Sequence, residues 1–332
     1  MELVKNSQQG FDLNKVRAQL GSDWPDVNSK IIENLRSDVA LVNSVSHYIV
    51  NSGGKRLRPL LVLLAARASG YQGDKHVQAA VIIEFIHTAT LLHDDVVDAS
   101  QLRRGQDTAN SVFGNEASVL VGDFLYSRSF QLMVQIGHMR IMDVLADATN
   151  TIAEGEVLQL MNCNDPETTE QQYMEVIHRK TAKLFEAGMR IGAILAGQTR
   201  AVEEALSEYG RQLGSAFQLI DDALDYGSGG NELGKNIGDD LAEGKPTLPL
   251  IHALRNASAQ DQLVIRKAIE EGGLADIERI VATIRATGAL AYTARKAEQA
   301  ANEAIAALQA VPDSEFKDAL ISLAHFSVQR QY

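Results

Sequence analysis

Ala201-Val-Glu-Glu-Ala-Leu-Ser-Glu-Tyr-Gly210-Arg-Gln-Leu-Gly-Ser-Ala-Phe-Gln-Leu-Ile220-Asp-Asp-Ala-Leu-Asp225 carries the decision about the fold. Up to Leu219 its apolar residues recur at three- and four-residue spacing, the period of one helical face. Val119–Gln135 and Met142–Met161 repeat that spacing. Between such stretches the chain is rich in Ala, Leu, Glu, Gln and Arg, which are good helix formers, and it contains only 6 prolines. Alternating runs bounded by turn dipeptides, the mark of strands, are scarce. The expectation is an all-α protein, a large single-domain helical bundle of ten or more helices with short connections. No internal repeat or low-complexity linker divides it. The Gly227-Ser-Gly-Gly230 stretch follows an acidic cluster and reads as a loop over a site rather than a domain linker.

Composition narrows the function. A formal net charge of −12 and 5% aromatic residues argue against a nucleic-acid binder, which needs a basic face and stacking platforms. The lone Cys163 permits no internal disulfide and no zinc pattern, and it suits a reducing, cytoplasmic setting. No apolar run reaches the roughly 20 residues of a membrane-spanning helix. The first ten residues lack the apolar centre of a signal peptide.

The quoted stretch ends on Asp221-Asp222-Ala223-Leu224-Asp225, and the same spacing occurs in Asp94-Asp95-Val96-Val97-Asp98 after an apolar run through Leu92. In a helix, residues four apart share a face about 6 Å apart along the axis. Asp94 and Asp98 therefore form a hard-oxygen pair suited to Mg²⁺, which takes a few carboxylates and completes its shell with water and phosphate oxygens. Asp95 points away and is better placed to support its neighbours. One such cluster is easily a solvated acidic patch. Two copies, each ending an apolar helix, suggest facing carboxylate walls that hold metals against a polyanionic ligand.

Gathered cations accompany them. Gly53-Gly54-Lys55-Arg56-Leu57-Arg58-Pro59 places three cations at an apparent helix start, where backbone N–H groups favour anions. Arg103-Arg104 follows Asp98, and Lys180-Thr181 lies in a basic turn of an amphipathic segment. A Gly-rich loop running from Gly234 and Lys235 through Asp239 to Lys245 suits a lid over a diphosphate. His87 sits two turns before Asp94.

This ordered set resembles the trans-isoprenyl diphosphate synthases, the polyprenyl synthetase family. It comprises Gly-Gly-Lys-Arg-Leu-Arg-Pro, Leu-Leu-His-Asp-Asp-Val-Val-Asp with Arg-Arg-Gly, Lys-Thr-Ala, Phe-Gln-Leu-Ile-Asp-Asp-Ala-Leu-Asp and the Gly-Lys loop. The resemblance runs from about residue 25 onward, leaving residues 1–24 as an N-terminal extension and 25–332 as the synthase domain. It implies a central active-site cavity, Mg²⁺ as cofactor and a homodimer. It further implies condensation of isopentenyl diphosphate with an allylic diphosphate, such as farnesyl diphosphate, to a long all-trans product. Octaprenyl, for a quinone side chain, is the expected length.

Residue by residue, the resemblance assigns Asp94, Asp98, Asp221 and Asp225 to the metals. Lys55, Arg58, His87 and Arg104 fall to isopentenyl diphosphate; Arg103, Lys180, Thr181, Gln218 and Lys235 face the allylic substrate. Lys180, Thr181 and Gln218 also offer oxygens to an allylic cation. The strongly basic tail of some short-chain members is missing. Small Ala89 and Thr90, one turn before Asp94, leave the start of a product tunnel open, and Met133 is a candidate floor. The alternatives are a farnesyl or geranylgeranyl synthase, a terpene cyclase or head-to-head synthase, and a non-catalytic partner subunit. A cyclase does not need the Gly-Gly-Lys-Arg site, and a dead subunit should have lost an acidic cluster or the Arg pair.

Overall fold

The computed structural model describes residues 11–227 and 237–329. Three helices open it: α1 (Leu13–Gln19), α2 (Asp23–Asn34) and α3 (Ala40–Asn51). Their inward Val16, Val27, Ile31 and Val45 pack into the main core. The boundary placed after residue 24 thus lies inside α2, and α1 is already part of the packed body.

α4 (Leu57–Ala68) and α5 (Lys75–Val97) form the apolar centre. Every α4 side chain from Pro59 to Ala66 is buried, so this helix has no solvent face. α5 is also buried nearly all round. Its exceptions are informative. Among them Glu84, His87, Thr90, Leu91 and Asp94 keep accessible surface and recur at three- and four-residue steps. They form one stripe along a core helix, the signature of a cleft reaching the interior.

A two-residue hairpin follows, with β1 (Leu102–Arg103) antiparallel to β2 (Gln106–Asp107) and Leu102 opposite Asp107. It is the one strand pairing among the described residues, and the helical pattern concealed it. Its two turn residues, Arg104 and Gly105, both have positive φ (54° and 74°), the conformation that suits the right-handed twist of a tight hairpin.

Next come α6 (Ala109–Phe113), α7 (Asn115–Ile136), α8 (Met139–Asn162) and α9 (Glu170–Val176). Thr169 and Gln172 start α9 with a reciprocal capping box. α9 then runs into a π-helical turn, Ile177–Ala182, before α10 (Lys183–Leu195) and α11 (Arg200–Asp225). Beyond them lie α12 (Asp239–Ala242), α13 (Leu248–Asn256), α14 (Ala259–Glu271), α15 (Ile277–Ala286), α16 (Ala289–Ala307) and α17 (Glu315–Val328).

Packing runs α7, α5, α4, α10, α11, α16, each against the next, while α8 closes on α10 and the π turn. α4 and α10 are therefore interposed between the two helices that end in acidic clusters. The π turn is clamped between glycines. A Cβ on Gly155 of α8 would meet the Lys180 backbone N at 2.7 Å, and one on Gly214 of α11 would meet the Ala182 Cα at 2.7 Å. Any larger residue at either position would push the turn off its neighbour. No described helix is long and apolar enough to cross a membrane.

Candidate active site

The first acidic cluster occupies the last turn of α5, whose final N–H bond runs from Asp98 to the Asp94 carbonyl at 2.8 Å. Carboxylates are unfavourable at a helix C-terminus, where the backbone dipole is negative. Cations from elsewhere compensate. Lys180 Nζ lies 3.3 Å from Asp94 Oδ2, and Lys245 Nζ lies 2.7 Å from Asp98 Oδ2. Lys180 also bonds Glu156 and, at 2.7 Å, Gln159 Oε1, both on α8. Lys245 bonds Glu243 Oε2 at 2.7 Å. Burial pushes Glu156 up to about 7, with the Asp94 charge adding to it. Burial disfavours the Lys245 ammonium, but Asp98 and Glu243 outweigh it and raise its pKa.

Asp95 turns inward. It is fully buried and accepts from Arg103 Nε at 2.9 Å and Nη2 at 2.6 Å. Arg103, expected to face the allylic substrate, is thus held on Asp95.

The second cluster repeats the division only in part. Asp221 is exposed at the end of α11 and its charge acts on Arg58. Asp225 is buried, and its Oδ2 lies 3.4 Å from the Asp240 N–H. Asp222 points into the protein and accepts from Gln218 Nε2 at 2.7 Å and the Tyr173 hydroxyl at 2.5 Å. Burial pushes Asp222 up to about 7, with the Asp240 charge adding to it. Thr181 Oγ1 donates to Gln218 Oε1 at 3.1 Å, so two residues assigned to the same substrate touch. The π turn brings Lys180 to the first wall and Thr181 to the second.

Among the described residues no three carboxylate, imidazole or thiol groups converge into a ready-made metal cage. The first wall instead offers separated carboxylates beside lysines, and the second offers Asp221 at the helix end with Asp225 one turn on. Such donors fit Mg²⁺, which binds through one or two carboxylates and fills its shell with water and substrate phosphate.

A basic pocket lies about two to three turns back along the α5 stripe. Arg58 Nη1 donates to His87 Nε2 at 3.1 Å, which puts the ring proton on Nδ1, and its guanidinium lies 4.4 Å from the Phe185 ring centroid. Burial lowers Arg58 to about 10, still charged at neutral pH. Burial, reinforced by Arg58, Arg104 and Arg103, holds His87 well below its ordinary range. Glu84 faces the charges of Arg56, Arg58 and Arg104, and burial raises its pKa against them. Arg56 and Arg104 are both non-glycine residues in the left-handed region, at φ 46° and 54°. Arg104 Nη1 bonds the Gly53 carbonyl, tying the hairpin to the glycine pair. Lys55 is exposed, its ammonium 5.2 Å from the Phe326 ring on α17. Lys235 lies outside the described residues.

A family model for polyprenyl synthetases matches residues 39–285. The chain belongs to the polyprenyl synthetase family. It is 55% identical over 321 residues to the octaprenyl diphosphate synthase of Escherichia coli, covering 96% of this chain and 99% of that protein. The octaprenyl diphosphate synthase of Haemophilus influenzae is 52% identical, over 98% and 99% of the two chains. Among solved structures, a polyprenyl synthase of Caulobacter crescentus complexed with calcium and isoprenyl diphosphate superposes with a TM-score of 0.93. It is 44% identical and covers 98% of this chain and all of its own.

In this polyprenyl synthetase several site residues escaped the sequence reading. Lys245 was read only as part of a loop, because nothing local shows that it returns to Asp98. Glu156 and Gln159 sit one helical turn apart on α8, a pairing visible in sequence but uninformative without Lys180 beside it. For Glu84 the available signal was a carboxyl within a core helix. Tyr173 carried no signal. Cys163 is half-buried, and its thiol is pushed up by burial, as suits an incidental residue.

Proposed function

We propose that this polyprenyl synthetase is an Mg²⁺-dependent trans-prenyltransferase that adds isopentenyl units to an allylic diphosphate, with farnesyl diphosphate as primer and octaprenyl diphosphate as product. The observation that carries the reading is that Lys180 and Lys245 meet Asp94 and Asp98, while Thr181, next to Lys180, reaches the second cluster through Gln218 and Asp222. Mg²⁺ held by Asp94, Asp98, Asp221 and Asp225 would supply the charge that favours departure of the allylic diphosphate. Lys180 and Lys245 add fixed positive charge where that leaving group accumulates negative charge. Lys235 and Arg103 are assigned to the same substrate.

Arg58, Arg104, His87 and Lys55 receive isopentenyl diphosphate in the basic pocket. The allylic cation then meets the oxygens of Thr181 and Gln218 and the Lys180 carbonyl, with bulk water excluded by the surrounding helices. The isopentenyl double bond attacks, and the proton lost from the adduct passes to the departed diphosphate. No nucleophilic side chain takes part. The octaprenyl length draws support from the two octaprenyl diphosphate synthases described above and from the small Ala89 and Thr90 on the route from Asp94.

A homodimer working in the cytoplasm completes the reading. Leu120 on α7 and Met139, Leu160 and Met161 on α8 are all more than half exposed and are the apolar side chains such a contact would cover. The test is incubation with isopentenyl and farnesyl diphosphates with Mg²⁺, product length being read by chromatography of the dephosphorylated chains. Octaprenyl product that disappears on chelation is expected; no elongation under any divalent metal would refute the reading.

A further inference from the structure

Thr181 offers an oxygen to the reaction only if its lone pairs, not its proton, face the cleft. What determines that polarity is a chain of hydrogen bonds reaching into the apolar interior. Tyr173 on α9 is buried among Ile177, Leu219, Ile220 and Leu248. Its hydroxyl donates to Asp222 Oδ2 at 2.5 Å, while Gln218 Nε2 donates to Asp222 Oδ1 at 2.7 Å. With the Tyr173 hydroxyl donating to Oδ2, Asp222 presents Oδ1 as an acceptor, which selects the amide edge of Gln218 and directs the Gln218 oxygen the other way. That oxygen, Oε1, sits 3.1 Å from Thr181 Oγ1. A carbonyl oxygen only accepts, so the Thr181 proton is committed to it and both lone pairs of Oγ1 are left for other partners.

We propose that Tyr173 is a positioning residue for the condensation, acting through Asp222 and Gln218 to fix the Thr181 hydroxyl with its lone pairs toward the allylic cation. The inference rests on the prenyltransferase reading above. Burial supports it from another side, since Asp222 is 2% exposed and Tyr173 6%, so no bulk water competes for either partner. Without the Tyr173 donor, Asp222 is free to reorient, the Gln218 amide loses its preference, and a flipped amide would donate to Thr181. The Thr181 proton would then turn to the cleft and oppose a cation there.

The alternative is that Tyr173 merely packs, and the two roles separate by charge. Calorimetry with Mg²⁺-loaded enzyme would compare an allylic analogue carrying an ammonium at the cationic carbon with an uncharged allylic thiolodiphosphate. Tyr173→Phe should weaken the ammonium analogue about tenfold, the scale of one charge-assisted hydrogen bond, and leave the thiolodiphosphate within about twofold. Equal weakening of both, or of neither, would overturn the proposal. In a double-mutant cycle, Tyr173→Phe should add little once Thr181→Val is present, whereas additive losses would overturn it. In the unsubstituted protein, slow solvent exchange of the Gln218 side-chain amide protons is expected, and fast exchange counts against the proposal whatever the variants do. If the unsubstituted enzyme binds neither analogue, the prenyltransferase reading itself fails, a result distinct from the selective losses above.

Discussion

The Lys180 ammonium stands 3.3 Å from the Asp94 carboxylate, joining a π-helical turn to the end of a core helix. With Lys245 on Asp98, both carboxylates of the first wall carry a lysine partner before substrate arrives. The lysines and the oxygens proposed to bind metal are therefore one electrostatic unit. Asp94→Ala and Asp221→Ala should each lower turnover by about a thousandfold, with helical circular dichroism unchanged, and Lys180→Met by about a hundredfold. Near-normal turnover of either aspartate variant at ordinary metal concentration would remove the two-wall arrangement.

His87 contributes as a neutral ring. Burial and three arginines hold it well below 6.5, so it carries no charge at neutral pH or moderately below. His87→Asn, which keeps polar atoms at this position, should raise the KM for isopentenyl diphosphate about tenfold. The ratio of variant to unsubstituted KM should stay flat between about pH 6 and 8. A ratio that changes with a midpoint near 6.5 would mean that the ring titrates and binds as a cation.

Product length should respond to the α5 stripe. Thr90 is half-buried and its hydroxyl bonds the His87 carbonyl at 2.8 Å, whereas Ala89 is 1% exposed and already packed. Thr90→Tyr should therefore shorten the product to the farnesyl or geranylgeranyl length with the fold intact. Ala89→Phe should do the same at a stability cost of about 1–3 kcal/mol from overpacking. Met133→Ala on α7 should lengthen it. An active Thr90→Tyr enzyme with unchanged product would show that the chain grows along another face.

Gly155 is where α8 meets the π turn. An added methyl group would sit 2.7 Å from the Lys180 backbone nitrogen, and only movement of the turn relieves it. Gly155→Ala should cost about 1–3 kcal/mol of stability. Turnover should fall about a hundredfold, since small displacements of catalytic groups are expensive. Activity and melting temperature within error of the unsubstituted enzyme would show that the turn is not held by this contact.

The acidic clusters and the helical class were legible because both are local. Asp94 to Asp98 is a one-turn pattern, and the three- and four-residue spacing of α11 is a one-helix pattern. The inward turn of Asp95 was legible for the same reason. The Arg103 contact with Asp95 was not, because a hairpin whose first turn residue is an arginine gives no turn signature. Lys245 and Tyr173 were hidden for a different reason. Their partners lie on helices distant in sequence, and only packing brings them together. The π turn was invisible because an inserted residue leaves the apolar spacing of α9 and α10 intact on either side.

Arg56 and Arg104 meet the basic pocket from backbone conformations that L-residues with side chains avoid, each costing about 1 kcal/mol relative to glycine. Replacing either by glycine would relax the chain and remove a cation in the same step. Selection for heat resistance alone would thus drift toward a sturdier protein with a poorer grip on diphosphate. At these two positions, thermal robustness and catalytic competence pull in opposite directions, and the arginines record which of the two prevailed.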